Sequence, residues 1–266
     1  MTHVIITGGS SGIGLEIARI YADRGARISL LARTLSTLEV AQAELARTNA
    51  TAKVLIDSAD VTDEIQTVEA IRRCEESFGP CDILITSAGI VEPGVFETIS
   101  TEAFERQMRT NFTGSVNAVR AVYAGMKQRR CGRIMLVSSG AGLIGIYGYA
   151  AYSASKFALH GFAEALRSEA RPQGVSVSVC FPPDTETPQF TRELEHRPLE
   201  AAVIMGSVAP WASSAVAARI VRAIDKRSFE VFFGLSLGSL GRFGSTLKPF
   251  LNWWFDRAIL KISRRP

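Results

Sequence analysis

The sequence predicts an α/β fold: a single domain built on a doubly wound parallel sheet. Three observations carry this expectation. Short β-branched or apolar runs alternate with longer helical patterns, a glycine-rich turn follows the first run directly, and no repeat, low-complexity tract or linker interrupts the order before residue 190. Residues 4–6 read as the first strand and 12–24 as the helix after it; 27–31 is the second strand and 35–47 the second helix. Strands at 53–56, 83–85, 133–137 and 175–180 continue the series, with helical patterns at 64–78, 103–127 and 154–170 between them. Parallel neighbours need long crossovers, so strands separated by helices imply a sheet covered on both faces.

At 266 residues, 47% hydrophobic and 21% charged, the chain is long enough and apolar enough to bury a full core. The formal charge of +4 sits in the tail, where residues 242–266 hold six basic side chains against Asp256 alone. The rest of the chain is therefore close to neutral, which argues against a nucleic-acid-binding face. Cys74, Cys81, Cys131 and Cys180 are widely spaced, with no C-x-x-C pair, so neither a metal site nor a disulfide framework is expected and a reducing, cytoplasmic setting is the simplest reading. No targeting segment is recognised at the N-terminus, and no apolar run approaches the roughly 20 residues that a spanning helix requires. The expected organisation is one domain over 1–230, with a substrate loop near 182–210, followed by an amphipathic extension over 231–266.

The turn after the first strand reads Thr7-Gly8-Gly9-Ser10-Ser11-Gly12-Ile13-Gly14 and opens the first helix. Glycines there let the backbone approach a pyrophosphate, while the helix N-terminus supplies amide donors and positive potential. Gly8, Ser10, Ser11, Gly12, Ile13 and Gly14 are thus candidate dinucleotide contacts. An acid at the end of the second strand would bind ribose hydroxyls and favour NAD, but Ala32 stands there and Arg33 follows. A guanidinium pairs with a ribose phosphate that a carboxylate would repel, so NADP(H) is the expected cofactor; the plainer reading of Arg33 is a solvated strand end. Asp60 and Val61, after the third strand, are placed to meet adenine.

Tyr152 and Lys156 are four residues apart and share a helix face. Ser139 follows a strand C-terminus, the edge that lines the ligand crevice of an open parallel sheet. A phenol with a pKa of about 10 is a poor acid–base group at neutral pH, and a neighbouring ammonium favours its ionised form. Taken singly, these are ordinary core, surface and turn residues; together, downstream of a nucleotide loop, they form a catalytic constellation.

Over roughly residues 3–190 the sequence resembles the short-chain dehydrogenase/reductases. The resemblance rests on T-G-x-x-x-G-x-G at Thr7 to Gly14, a partial N-A-G at Ser87-Ala88-Gly89, Asn111, Ser139, and Y-x-x-x-K at Tyr152 to Lys156. It implies a Rossmann-type sheet and assigns four roles. Tyr152 protonates the carbonyl oxygen as hydride leaves the nicotinamide, and Lys156 lowers the tyrosine pKa and holds the nicotinamide ribose. Ser139 polarises the carbonyl, and Asn111 supports a water that links Lys156 to solvent. Ala88, Gly89, Pro182 and Thr185 join the implied cofactor contacts, and a homodimer or homotetramer paired through 103–127 and 154–170 is the implied assembly. Two departures stand out: Thr86-Ser87 replaces the asparagine before A-G, and Pro182-Pro183 replaces Pro-Gly, stiffening the loop that passes the nicotinamide amide.

The loop Pro182-Pro183-Asp184-Thr185-Glu186-Thr187-Pro188 and the helix start Ala151-Tyr152-Ser153-Ala154-Ser155-Lys156 are similar to those of 3-ketodihydrosphingosine reductases. That narrower resemblance implies a lipid ketone substrate, the ketone of a long-chain sphingoid base, reduced with NADPH. The alternatives are another short-chain ketoreductase, acting on an acyl thioester, steroid or small ketone, and a non-catalytic NADP-binding regulatory protein. The tail runs Phe250-Leu251-Asn252-Trp253-Trp254-Phe255 among basic residues. Such an amphipathic segment suits peripheral contact with an anionic membrane surface, a subunit contact, or a cover over the substrate.

Overall fold

The computed structural model describes residues 1–206 and 209–263; Arg264 and Arg265 of the basic tail, and two positions of the expected substrate loop, lie outside the described residues. The first third alternates strictly: β1 (His3–Thr7), α1 (Gly12–Asp23), β2 (Arg27–Ala32), α2 (Leu35–Thr48), β3 (Lys53–Ser58), α3 (Glu64–Phe78) and β4 (Ile83–Thr86). Next come α4 (Thr101–Met108), a π-helical turn (Arg109–Thr113), α5 (Gly114–Arg129), β5 (Gly132–Val137), α6 (Ala150–Ala170) and β6 (Val175–Phe181). The last part holds β7 (Thr185–Glu186), α7 (Pro188–Leu194), α8 (Leu199–Met205), β8 (Trp211–Ala212), α9 (Ser213–Asp225), β9 (Glu230–Phe232) and α10 (Gly234–Ser263).

Seven strands form one parallel sheet in the order β3-β2-β1-β4-β5-β6-β9, with a small β7–β8 sheet beside it. The strand order reverses between β1 and β4, and this switch point opens a crevice at their C-terminal ends. β1 and β4 are buried at every position, which explains their unbroken apolar runs in place of alternation. On one face α1, α2 and α9 press Ile17, Leu38 and Ile220 towards Val4, Ile6 and Leu30; on the other, α3, α5 and α6 bring Ile71, Val122 and Leu166 to Ile5, Leu84 and Leu136. Local signals set the helix ends. The Asp63 carboxylate accepts from the Gln66 N–H to start α3, and Gly79 ends it at φ 83°.

The structure differs from the sequence expectation in three places that bear on the site. α6 begins at Ala150, four residues before the expected 154, so Tyr152 lies in its first turn. The helix expected over 103–127 is interrupted by the five-residue π-helical turn that carries Asn111. β9 pairs with β6 from Val179–Glu230 to Phe181–Phe232, and the Phe181 and Phe232 rings stack at 5.3 Å. The sheet therefore runs through the boundary expected at residue 230. α10 bends at Phe243 (φ −121°, ψ 21°) and contains Pro249. Leu240 is buried, and Leu251 and Phe255 pack on the core cluster. No described helix is long and apolar enough to cross a membrane.

Candidate active site

The crevice at the switch point is a cavity of about 1470 Å³. The glycine turn forms its floor, and steric limits dictate that turn. At Gly8 (φ 70°) a Cβ would lie 2.6 Å from the Ala88 nitrogen, and at Gly14 it would collide with the Gly8 oxygen. Neither position tolerates a side chain without backbone movement. Ser11 stands at the N-cap of α1 with no side-chain cap, which leaves the first helical amides to a ligand. Ser10, Ser11, Gly12, Ile13, Val61 and Ala88 line this end, together with Gly89. Arg33 lines it as well; it is exposed, and its guanidinium has no partner among the described residues. A cradle of glycines, uncapped helix amides and a free guanidinium is the donor set that a phosphorylated dinucleotide requires, so the residues fit such a cofactor.

Gly14, Asp60 and Asn111 do not line the cavity. Gly14 shapes the turn. Asp60 Oδ1 accepts from the Thr62 N–H at 2.9 Å, so the carboxylate tightens its own loop. Asn111 is fully buried and acts as a clamp. Its Oδ1 accepts from the Ile90 N–H at 2.7 Å, and its Nδ2 donates to the Ile90 carbonyl at 2.9 Å and to Ser155 Oγ at 2.9 Å. Ser155 Oγ in turn donates to the Tyr152 carbonyl at 2.7 Å. One amide thereby ties the loop after β4 to the first turn of α6.

Tyr152, Lys156 and Ser139 meet at the other end of the cavity, with Pro182 and Thr185 beside them. Lys156 Nζ lies 5.5 Å from the centre of the Tyr152 ring and donates to the Val137 carbonyl at 3.0 Å. Ser139 caps a short 3-10 turn by accepting from the Ala141 N–H at 3.2 Å. Burial sets both titrations. It raises the Tyr152 hydroxyl above its usual range, with Ser139 opposing the rise and Glu193 and Asp184 adding to it. The Lys156 ammonium is buried and drawn down to about 8 by desolvation, with Cys180 opposing. Among the influences that shift Tyr152 burial is the largest, and Lys156, with its Nζ turned to the Val137 carbonyl, is not one of them.

Sequence reasoning missed a second group of polar residues at this end: Tyr149, Glu193 and Arg197, which join Asp184. The spacing of Glu193 and Arg197 hinted at a pair, but no local pattern indicates a partner 44 residues away at Tyr149. Thr187 was also missed as a neighbour of the glycine turn: a Cβ on Gly12 would come within 2.9 Å of its methyl.

A family model described as short chain dehydrogenase matches residues 2–198. The chain belongs to the short chain dehydrogenase family. Within that family, it is similar to a 3-ketodihydrosphingosine reductase of Bos taurus, 44% identical over 248 residues, 92% of this chain and 74% of that protein. It is likewise similar to a 3-dehydrosphinganine reductase of Danio rerio, 43% identical over 235 residues, 87% of this chain and 71% of the other. Among solved structures, a variant of actinorhodin polyketide ketoreductase with NADPH aligns with a TM-score of 0.81 at 28% identity, over 89% of this chain and 97% of that one. A short chain dehydrogenase is an oxidoreductase, and the seven-stranded parallel sheet found here is the one expected of it.

The buried ammonium makes stability depend on pH. Below pH 8 Lys156 is protonated folded and unfolded alike, and its desolvation costs on the order of 3 kcal/mol. Between pH 8 and 10.5 the unfolded chain holds that proton while the folded protein has released it, so wild-type stability gains with rising pH. Lys156→Met removes the charge and keeps the length. It raises the melting temperature of the ligand-free protein at pH 7, and the gain shrinks as pH rises through this window. Thermal unfolding of both proteins across the window checks this; an offset that stays constant assigns the effect to packing.

Proposed function

We propose that this enzyme uses NADPH to reduce 3-ketodihydrosphingosine to dihydrosphingosine, a step of sphingolipid synthesis. The observation that carries the reading is that one cavity joins Tyr152 and Ser139 to an apolar wall of Phe233, Leu237 and Phe255, the last two from α10. A long alkyl chain suits that wall, and the similarity to 3-ketodihydrosphingosine reductases over most of the chain supplies the head group.

The bound cofactor supplies the hydride; the chain's own residues do the rest. The glycine turn and the first amides of α1 hold the pyrophosphate, with Asp60 and Val61 at the adenine, Arg33 at the adenosine phosphate, and Ala88, Gly89, Pro182 and Thr185 along the nicotinamide half. Ser139 donates to the ketone oxygen and fixes its direction. Tyr152 gives its proton to that oxygen as negative charge develops there, a contribution of about 10²–10⁴ in rate for a positioned acid. Lys156 holds the nicotinamide ribose and, with its pKa drawn down to about 8, exchanges protons close to neutral pH to restore the tyrosine. Asn111 keeps the loop after β4 and the start of α6 in register, so that these groups converge.

The extension also fits a peripheral site on the cytoplasmic membrane face. On α10, Leu235, Phe250, Trp253, Trp254 and Leu260 are exposed, with Arg242, Lys248, Arg257 and Lys261 along the same helix. A helix that both walls the cavity and rests on lipid would take a sparingly soluble substrate from where it resides. Pairing into a dimer or tetramer uses the outer faces of α5 and α6. α10 narrows that surface, since Lys248 Nζ lies over the Phe157 ring of α6 at 5.2 Å.

Purified enzyme with NADPH and mixed micelles reduces 3-ketodihydrosphingosine in preference to a short ketoacyl thioester; turnover of the thioester alone rejects the substrate. In the same assay Arg33→Ala weakens NADPH more than NADH, and an equal loss for both removes Arg33 from the phosphate site. Flotation with anionic vesicles carries the full chain upward but not a chain ending at Gly241, just before the bend. Binding that survives the truncation refutes the role of α10.

A further inference from the structure

Four polar side chains outside the proposed catalytic set are gathered at the substrate end of the cavity. Arg197 donates from Nη1 to Asp184 Oδ2 at 2.8 Å, from Nη2 to Glu193 Oε1 at 2.6 Å, and from Nε to the Tyr149 hydroxyl at 3.1 Å. Tyr149 donates to the same Glu193 Oε1 at 2.6 Å, and its ring stands edge-on to Tyr152 with centroids 6.2 Å apart. The Arg197 and Glu193 side chains are only 8% and 11% exposed. Asp184, Glu193 and Tyr149 all line the cavity. The network joins the loop after β6, α7 and the start of α6, and so fixes α7 against the wall of the cavity that it lines.

A lock of this kind needs one carboxylate for one guanidinium. This one has two, so the largely buried group carries one negative charge in excess. Asp184 Oδ1 and Glu193 Oε2 have no partner among the described residues. The cations that share the cavity make no bond to them: Lys156 is turned to the Val137 carbonyl, Arg192 is exposed, and Arg33 stands beside the glycine turn without a partner among the described residues. The His196 imidazole, which also lines the cavity, makes no side-chain bond to either carboxylate. The excess charge also works against the reaction. Both carboxylates oppose ionisation of Tyr152, which must end the proton transfer as a phenolate. A ligand that brings a positive charge to this place removes the handicap at the moment of transfer, and thereby couples recognition to rate.

We propose that Asp184 and Glu193, held in place by Arg197 and Tyr149, form a cation subsite that binds an ammonium on the carbon next to the reacting ketone, so that the enzyme selects α-amino ketones over neutral ketones of equal length. The inference rests on the substrate reading above, because the sphingoid head carries such an amine beside its ketone. Neutral lipid ketones lack the charge, bind without it, and leave Tyr152 the poorer acid.

The test compares 3-ketodihydrosphingosine with the matched long-chain hydroxyketone in which hydrogen replaces the amine, in the same micelles with NADPH. Wild-type kcat/KM favours the amino ketone by about 10- to 100-fold, the range of a charge-assisted contact in a shielded site. Asp184→Asn and Glu193→Gln each lower that ratio about tenfold. The ratio is the readout because a loss of folding or of cofactor binding lowers both rates together, and the wild-type value stands even where a variant fails to fold. A wild-type ratio near one, or variants that keep the wild-type ratio, overturns the subsite and leaves the substrate reading intact. Reduction of the neutral ketone with no reduction of the amino ketone overturns both.

Discussion

The Asn111 amide is the constraint on which the rest of the site depends. Its two polar atoms make three hydrogen bonds inside a side chain that solvent does not reach, to both backbone groups of Ile90 and to Ser155. An unpartnered amide there would cost about 1–3 kcal/mol per group, so the loop after β4, the π-helical turn and the first turn of α6 are committed to one relative position. That position brings Gly89 within 3.6 Å (measured from an added Cβ) of Lys156 Nζ and lets the cavity run unbroken from the glycine turn to Tyr152. The side chain that makes these bonds is carried by the π-helical turn, a local departure from regular helix of the kind often found at functional sites.

Burial then decides how the groups held by this clamp behave. Lys156 and Tyr152 are both displaced towards their neutral forms, the lysine downward and the tyrosine upward. Both displacements show that burial here disfavours the charged forms. On the proposed reading, cofactor phosphates would answer the free donors at one end of the cavity and a substrate ammonium the unpartnered carboxylate oxygens at the other. Opposite charge requirements at the two ends would then orient a substrate and a cofactor relative to one another before any chemistry takes place.

Much of this was legible in the sequence because its signals are local. Two-sided burial writes β1 and β4 as continuous apolar runs, backbone collisions force glycine at Gly8 and Gly14, and helical periodicity places Tyr152 above Lys156. What remained hidden depends on distant partners. Arg197 reads as an ordinary surface charge until Tyr149 and Asp184 come to it across the fold. β9 has three residues and no alternation, too little for a strand signal, yet its Phe232 stacks on Phe181 and closes the sheet. Nothing local marks the start of α6, since Tyr149 at its N-cap offers no side-chain cap bond.

All of this converges on one proton leaving one hydroxyl. A single-turnover reaction with NADPH deuterated at the transferring position measures that step apart from substrate uptake and product release. Wild-type enzyme delivers the label to the carbinol carbon of dihydrosphingosine. Tyr152→Phe binds the cofactor, as its fluorescence reports, but forms labelled alcohol at least about 100-fold more slowly, the loss expected for removal of a positioned acid. Labelled alcohol formed by Tyr152→Phe at the wild-type rate would contradict the account, because the proton would then come from a group other than the one around which this site is assembled.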